Sequence, residues 1–191
     1  MKVGLFFGSF NPIHVGHLIL ANYMLEFTEL ERIWFVISPH NPLKEKKTLL
    51  ADNHRLQMVR LAIGDHTKMK ASNIEFKLPQ PSYTVNTLAH LADKFPDHAF
   101  SLIMGEDNLN SFHKWKNFEF ILEQYKIYVY PRLGADGGKL KKHPAVQFTE
   151  APVMEISASF LREAIKNKKD VRYYFPPAVW EYIKEMHFYA K

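Results

Sequence analysis

The chain has 191 residues, 47% of them hydrophobic and 24% charged, which suits one globular domain with a real core. It has no cysteine, which excludes disulfides and thiolate metal sites and fits a cytoplasmic enzyme. A net charge of +5 suits an anionic partner (nucleotide, phosphate ester, nucleic acid or membrane surface) but serves solubility equally well.

The first segment carries no Asp, Glu, Lys or Arg from Val3 to Leu25. Asn11, Pro12, His14 and His17 interrupt its apolar run, and no small-residue cleavage site follows. It therefore reads as neither a signal peptide nor a membrane span, but as a buried strand handing over to a half-buried helix. KVGLFF (Lys2 to Phe7) is the strand, ending at Gly8. Helical spacing of Ile13, Leu20, Met24 and Phe27 predicts a helix over 12–27. RIWFVIS (Arg32 to Ser38) is a second strand, followed by a polar loop with prolines. Leu56, Val59 and Ile63 predict a helix from Asn53, which would be its N-cap, to a stop at Gly64. A strand over 71–76, the breaker-rich LPQPSYT, a helix over 85–94 and a strand over 99–104 ending at Gly105 follow. Next come a helix over 118–124, the strand KIYVY, a mobile Gly- and Lys-rich loop and a short strand over 146–148. Helices over 159–166 and 177–186 complete the chain.

Strands and helices alternate from end to end, without repeat or linker. The expectation is an α/β, Rossmann-like, doubly wound, mainly parallel sheet in one domain of residues 1–191. Ligands of such sheets sit beyond the carboxyl ends of the strands, so the loops opening at Gly8, Ser38 and Gly105 are where chemistry is expected.

The first of these loops reads GSFNPIHVGH, from Gly8 to His17. Gly8 allows a close backbone approach to a ligand. Asn11 before Pro12 has the form of an N-cap followed by a first helical residue, and the helix start would offer amides to a phosphate. His14 and His17, three apart, share a face there and can donate to phosphate oxygens, with Gly16 removing bulk between them. A zinc site is incomplete without a third ligand in reach. The phosphate-binding Walker loop and the dinucleotide glycine fingerprint are both absent.

This stretch resembles the GxFxPxHxGH signature of the nucleotidyltransferase superfamily. SPHNPLK, HRLQMVRLAI, PSYTVNTL, MGEDNLNSFHKWKN, ISASFLREAI and YYFPPAVWEYI are similar to segments of nicotinate-nucleotide adenylyltransferases, so the resemblance covers nearly the whole chain. It implies that ATP and nicotinate mononucleotide are joined to deamido-NAD and pyrophosphate in NAD biosynthesis. Mg²⁺ would be carried mainly by ATP phosphates rather than by a dedicated protein site. The partners would be these small molecules, with neither nucleic acid nor membrane. His14, His17, Lys44 and Arg162 would be catalytic. Gly8, Ser9, Phe10, Gly16, Gly105, Asp107, Ile156, Ser157 and Ser159 would join His14, His17 and Arg162 around ATP, with 156–191 a helical part contributing to that site. Asn11, Lys44, Arg55, Tyr83, Thr84, Trp115 and Lys116 would hold the mononucleotide. Of these, Trp115 would stack on the ring, and backbone amides near Trp115 and Lys116 would meet the carboxylate.

Some residues have a plainer reading. Lys44 stands in a charged run, Ser157 and Ser159 could be helix caps, and Trp115 could be a loop anchor. The chain also departs from the family pattern. Asn86 replaces a common Asp, Ala158 a usual Ser or Thr, and Lys168 a frequent Gly whose left-handed position Asn167 would take instead. The loop 134–143 has no role that the resemblance supplies. Other readings are an adenylyltransferase for nicotinamide mononucleotide or phosphopantetheine, and a non-catalytic RNA-binding module prompted by the basic charge. Phe188 and Tyr189 are the aromatics available for a contact between copies.

Overall fold

The computed structural model describes residues 1–39 and 49–190. Its six strands are β1 (Lys2–Gly8), β2 (Arg32–Ile37), β3 (Met69–Ser72), β4 (Ala99–Gly105), β5 (Lys126–Tyr130) and β6 (Val146–Phe148). They form one parallel sheet in the order β3-β2-β1-β4-β5-β6. The helices are α1 (Val15–Phe27), α2 (Asp52–Ile63), α3 (Thr84–Lys94), α4 (Glu106–Asn110), α5 (Phe118–Gln124), α6 (Ala158–Lys166) and α7 (Pro177–Glu185). Strand order reverses between β1 and β4, so a crevice opens beyond their carboxyl ends.

Alternation along the strands builds two cores. On one face Phe6, Ile33, Phe35, Ile37, Tyr128 and Tyr130 meet α1, α2, α6 and α7 through Leu20, Met24, Leu56, Val59, Leu161 and Ile183. On the other, Val3, Leu5, Trp34, Val36, Ile127 and Val129 meet α3, α4 and α5 through Leu88, Leu91, Leu109 and Ile121. A strand with apolar residues at successive positions is what a sheet covered on both faces requires. The expected doubly wound α/β architecture is the one observed.

The differences from the sequence reading are local. Helix α1 begins at Val15 rather than Pro12, and the residue before it is His14, extended at φ −146°, ψ 171°. Asn11 is therefore not its cap, and the Asn11–Pro12 peptide is cis. Helix α2 follows Ala51, not Asn53, and Gly64 ends it at φ 55° with its N–H on the Arg60 carbonyl. Strand β3 stops at Ser72, because the chain turns into a 3₁₀ segment over Ile74–Lys77 with Phe76 N–H on the Asn73 carbonyl. The short helix α4 has no counterpart in the sequence reading. The Gly- and Lys-rich loop contains a 3₁₀ turn over Gly138–Lys142, and its Leu140 packs on the second core.

After α6 the left-handed position falls on Lys168, at φ 57°, while Asn167 stays at φ −83°. A Cβ in that region costs about 1–2 kcal/mol. Lys168→Gly removes this strain and adds back some unfolded-state entropy. The expected result is a net stabilisation of about 0.5–1 kcal/mol in a urea titration. Phe188 and Tyr189 turn inward on their own chain. Phe188 packs on His54 and Tyr182, and Tyr189 Oη donates to Asn11 Oδ1 at 2.8 Å.

Candidate active site

The turn after β1 is held by aromatic packing. Phe10 adopts φ 45° and packs edge-on against Phe6, Phe35 and His17, with ring centroids 5.2 to 5.9 Å apart. A Cβ added at Gly8 would sit 2.9 Å from the Phe10 ring. The missing side chain at Gly8 thus admits the Phe10 ring folding back. A left-handed, buried, non-glycine residue is strained, and it persists because the packing around it over-determines it.

His14 and His17 come together at the start of α1, with ring centroids 3.8 Å apart and planes tilted by 31°. The His14 backbone N–H donates to His17 Nδ1 at 3.3 Å, and the His17 N–H donates to the His14 carbonyl at 3.0 Å. With Nδ1 accepting, the neutral His17 ring carries its proton on Nε2. His14 is buried, and among the described residues its Nδ1 has no hydrogen-bond partner. Gly16 lies against the His14 ring: a Cβ there would meet Nδ1 at 3.1 Å and Ile156 Cβ at 3.6 Å. The Ile156 segment therefore borders the histidine pair.

Burial, with the Arg132 guanidinium nearby, brings the His14 imidazole down from 6.5 to about 4. The folded state then resists a proton that the unfolded chain accepts, so stability is complete above pH 6.5 and drains away as pH falls towards 4. At about 1.4 kcal/mol per unit of pKa, the gap is worth about 3 kcal/mol. Between pH 7 and pH 4, wild type should lose about 3 kcal/mol more than His14→Asn, read as the difference between their urea midpoints at each pH.

At the carboxyl end of β4, Gly105 leaves room for two charged side chains. A Cβ there would lie 2.3 Å from Asp107 Oδ1 and 3.2 Å from Arg132 Nε. Arg132 Nε stands 3.7 Å from Asp107 Oδ1, and its Nη1 donates to the Met154 carbonyl at 3.1 Å. Sequence reasoning missed Arg132. The available signal was its place just past β5, which pairs with β4 at Gly105 and Tyr130.

Helix α6 closes the site from the C-terminal side. Ser157 Oγ accepts the Phe160 N–H at 3.1 Å, so Ser157 is the cap of α6, with its own O–H still a donor. Arg162 donates from Nη1 to the Asn11 carbonyl at 2.8 Å and from Nη2 to Ser159 Oγ at 3.1 Å. The half-buried guanidinium keeps further N–H groups beyond these. Asn11, expected at the mononucleotide, is buried, and its Oδ1 accepts from Tyr189 Oη and the Leu50 N–H.

Arg55 is the clearest correction. Expected on the acceptor's phosphate, it is fully buried and donates to the carbonyls of Ser9 (2.6 Å), Ser38 (2.9 Å), Leu50 (3.0 Å) and Pro39 (3.3 Å) and to Asp52 Oδ1 (2.6 Å). A guanidinium has five N–H groups, and these contacts use all of them. Arg55 therefore ties the ends of β1 and β2 to α2 and has no donor left for a phosphate. Ser9 contributes a carbonyl to this knot. Lys44 lies outside the described residues.

On the other side of the crevice, Lys116 Nζ lies over the Tyr83 ring at 4.7 Å, bringing the loop after α4 against the start of α3. Trp115 is half-buried and packs on Phe112 at 4.9 Å. Its own N–H is taken by the Phe112 carbonyl at 2.9 Å, so that amide does not face a carboxylate. Thr84 opens α3, and the Asn86 and Thr87 N–H groups of its first turn donate to the Tyr83 carbonyl at 2.9 and 3.2 Å.

A cytidylyltransferase-like family model matches residues 5–164. A Flavobacterium psychrophilum protein named "Probable nicotinate-nucleotide adenylyltransferase" is 59% identical, with 100% of each chain covered. A Bacteroides fragilis protein of the same name is 47% identical, over 95% of this chain and 90% of its own. The solved Plasmodium falciparum nicotinic acid mononucleotide adenylyltransferase complexed with NaAD is 21% identical and shares the fold. Its TM-score is 0.83, over 99% of this chain and 97% of that one. With the imidazole pair at the β1 mouth and this likeness along its full length, the chain belongs to the nicotinate-nucleotide adenylyltransferases, nucleotidyltransferases of the cytidylyltransferase-like family.

Proposed function

We propose that this enzyme joins ATP to nicotinate mononucleotide, giving deamido-NAD and pyrophosphate in NAD biosynthesis. The observation that carries the reading is the His14–His17 pair at the β1–β4 crevice, beside Arg132 and Arg162, with the Tyr83–Lys116 wall as its other bank. The acceptor's phosphate has a second pKa of about 6 and is already an anion near neutral pH, so no residue need remove a proton. An acceptor phosphate oxygen forms a bond to the α-phosphorus as the bond from that phosphorus to the β-phosphate oxygen breaks. The electron pair leaves with pyrophosphate.

The residues supply alignment and charge neutralisation. His17 Nε2–H donates to phosphoryl oxygens. Arg162, anchored on Asn11 and Ser159, presents its remaining N–H groups to the triphosphate. Lys44 takes the acceptor-phosphate role that the family pattern gives it. Asp107, which is exposed, is the residue we assign to a ribose hydroxyl of the nucleotide. Among the described residues, the groups at the mouth are imidazoles and guanidinium groups with two carboxylates, exposed Asp107 and buried Glu106, which faces the Arg132 N–H and Lys141. That donor set fits Mg²⁺ held by phosphate oxygens and water rather than by a protein cage. When bound with ATP, the ion screens charge on the departing pyrophosphate. The cytoplasm is the compartment we assign, on the absence of cysteine and on ATP as donor.

The test is pyrophosphate release from ATP and Mg²⁺ with each of three acceptors. Nicotinate mononucleotide is expected to exceed nicotinamide mononucleotide by about 10- to 100-fold in kcat/KM, the worth of a hydrogen bond to a charged group. Equal rates would remove the acid preference, and release with phosphopantetheine alone would overturn the substrate assignment.

A further inference from the structure

Glu75 belongs to no motif that the sequence reading singled out, yet it is only 2% exposed. It lies in the 3₁₀ segment after β3, where the chain leaves the sheet. Its Oε1 accepts from Thr87 Oγ1 at 2.6 Å and its Oε2 from Ser82 Oγ at 3.0 Å. The 3₁₀ segment that carries it packs against β2. The Glu75 backbone carbonyl accepts from Gln80 Nε2 and the Leu78 N–H, both at 3.2 Å, which binds the following loop to the same point. Burial pushes the carboxyl upward, and the Thr87 and Ser82 hydroxyls oppose that shift.

Tyr83 and Thr84 lie between Ser82 and Thr87 in the chain. We propose that Glu75 is a positioning residue for the acceptor site: it fixes the turn bearing Tyr83 and Thr84, and the start of α3, against the end of β2. The inference rests on the reading of Tyr83 and Thr84 as acceptor-binding residues. The hydroxyls meet one rigid, buried acceptor from two elements, so the turn's position relative to the sheet is set through this carboxylate. Among the described residues, none of these hydrogen bonds is made with His14, His17 or Arg162 directly. Losing it should therefore act on one substrate and not on the other.

The experiment is steady-state kinetics of wild type, Glu75→Ala, Glu75→Gln and Thr87→Val, varying ATP and nicotinate mononucleotide separately. Glu75→Ala is expected to raise KM for the mononucleotide about tenfold or more, with KM for ATP within about twofold of wild type. Glu75→Gln, which keeps shape and one carbonyl acceptor, should recover part of this. Thr87→Val should move the same constant by about threefold. A residue that only supports the fold would lower the active fraction, so kcat would fall with both KM values unchanged. That result, or equal rises in both KM values, overturns the proposal. If Glu75→Ala does not fold, Thr87→Val and Ser82→Ala decide by the same split. Wild type that releases no pyrophosphate with nicotinate mononucleotide refutes the substrate reading instead.

Discussion

His17→Ala is expected to lower turnover by about a hundredfold to a thousandfold while leaving the unfolding midpoint close to wild type. The donor it removes is defined by geometry. Because Nδ1 accepts from the His14 amide, the neutral ring's proton is on Nε2, and a proton there is what a phosphoryl oxygen gaining charge requires. Removing one preorganised donor of this kind typically costs 10²–10³ in kcat. The fold depends far less on this ring. It is half-buried, packs edge-on against Phe6 and Phe10, and opens, in the first turn of α1, the stripe that Leu20, Ala21 and Met24 continue into the core. Single-turnover measurement with both substrates saturating, alongside a urea titration, separates the two effects. An unchanged rate would remove His17 from the mechanism.

Arg55→Met is expected to destabilise the protein by about 3–5 kcal/mol, the cost of taking a charged donor away from four carbonyls at about 1 kcal/mol each. Carbonyls from Ser9, Ser38, Pro39 and Leu50 would lose their donor inside a site closed to water. Arg55→Lys keeps the charge but brings three donors from one point, so it cannot reach acceptors spread around a planar fork, and a loss of about 2 kcal/mol or more remains. The contrast with a ligand-binding role is direct. A phosphate contact would make Arg55→Lys raise KM with the urea midpoint unmoved. The structure requires the midpoint to move first.

Arg55 also shows what a linear sequence conveys. Its helical spacing was readable, and so was the arginine's place in a basic helix. Its partners come from loops up to 46 positions away in the chain. No local pattern records that five acceptors converge on one guanidinium. The sheet was legible for the opposite reason: runs such as VGLFF and RIWFVI record burial on two faces directly. The histidine pair was legible because its members are only three apart, one just before the first turn of α1 and one within it. Arg132 was not, since it reaches the β4 end only through the pairing of β5 beside it. The start of α1 was misread because Asn-Pro has the form of a cap and a first helical residue. Its side-chain oxygen is instead satisfied by Tyr189, 178 positions away in the chain.

That last contact has a consequence for biosynthesis. A nascent polypeptide can assemble the sheet well before translation is finished, but the loop beneath the imidazoles lacks its final partner until the ribosome has passed residue 189. The turn that carries both imidazoles is thus closed by a residue translated after every strand and helix of the fold.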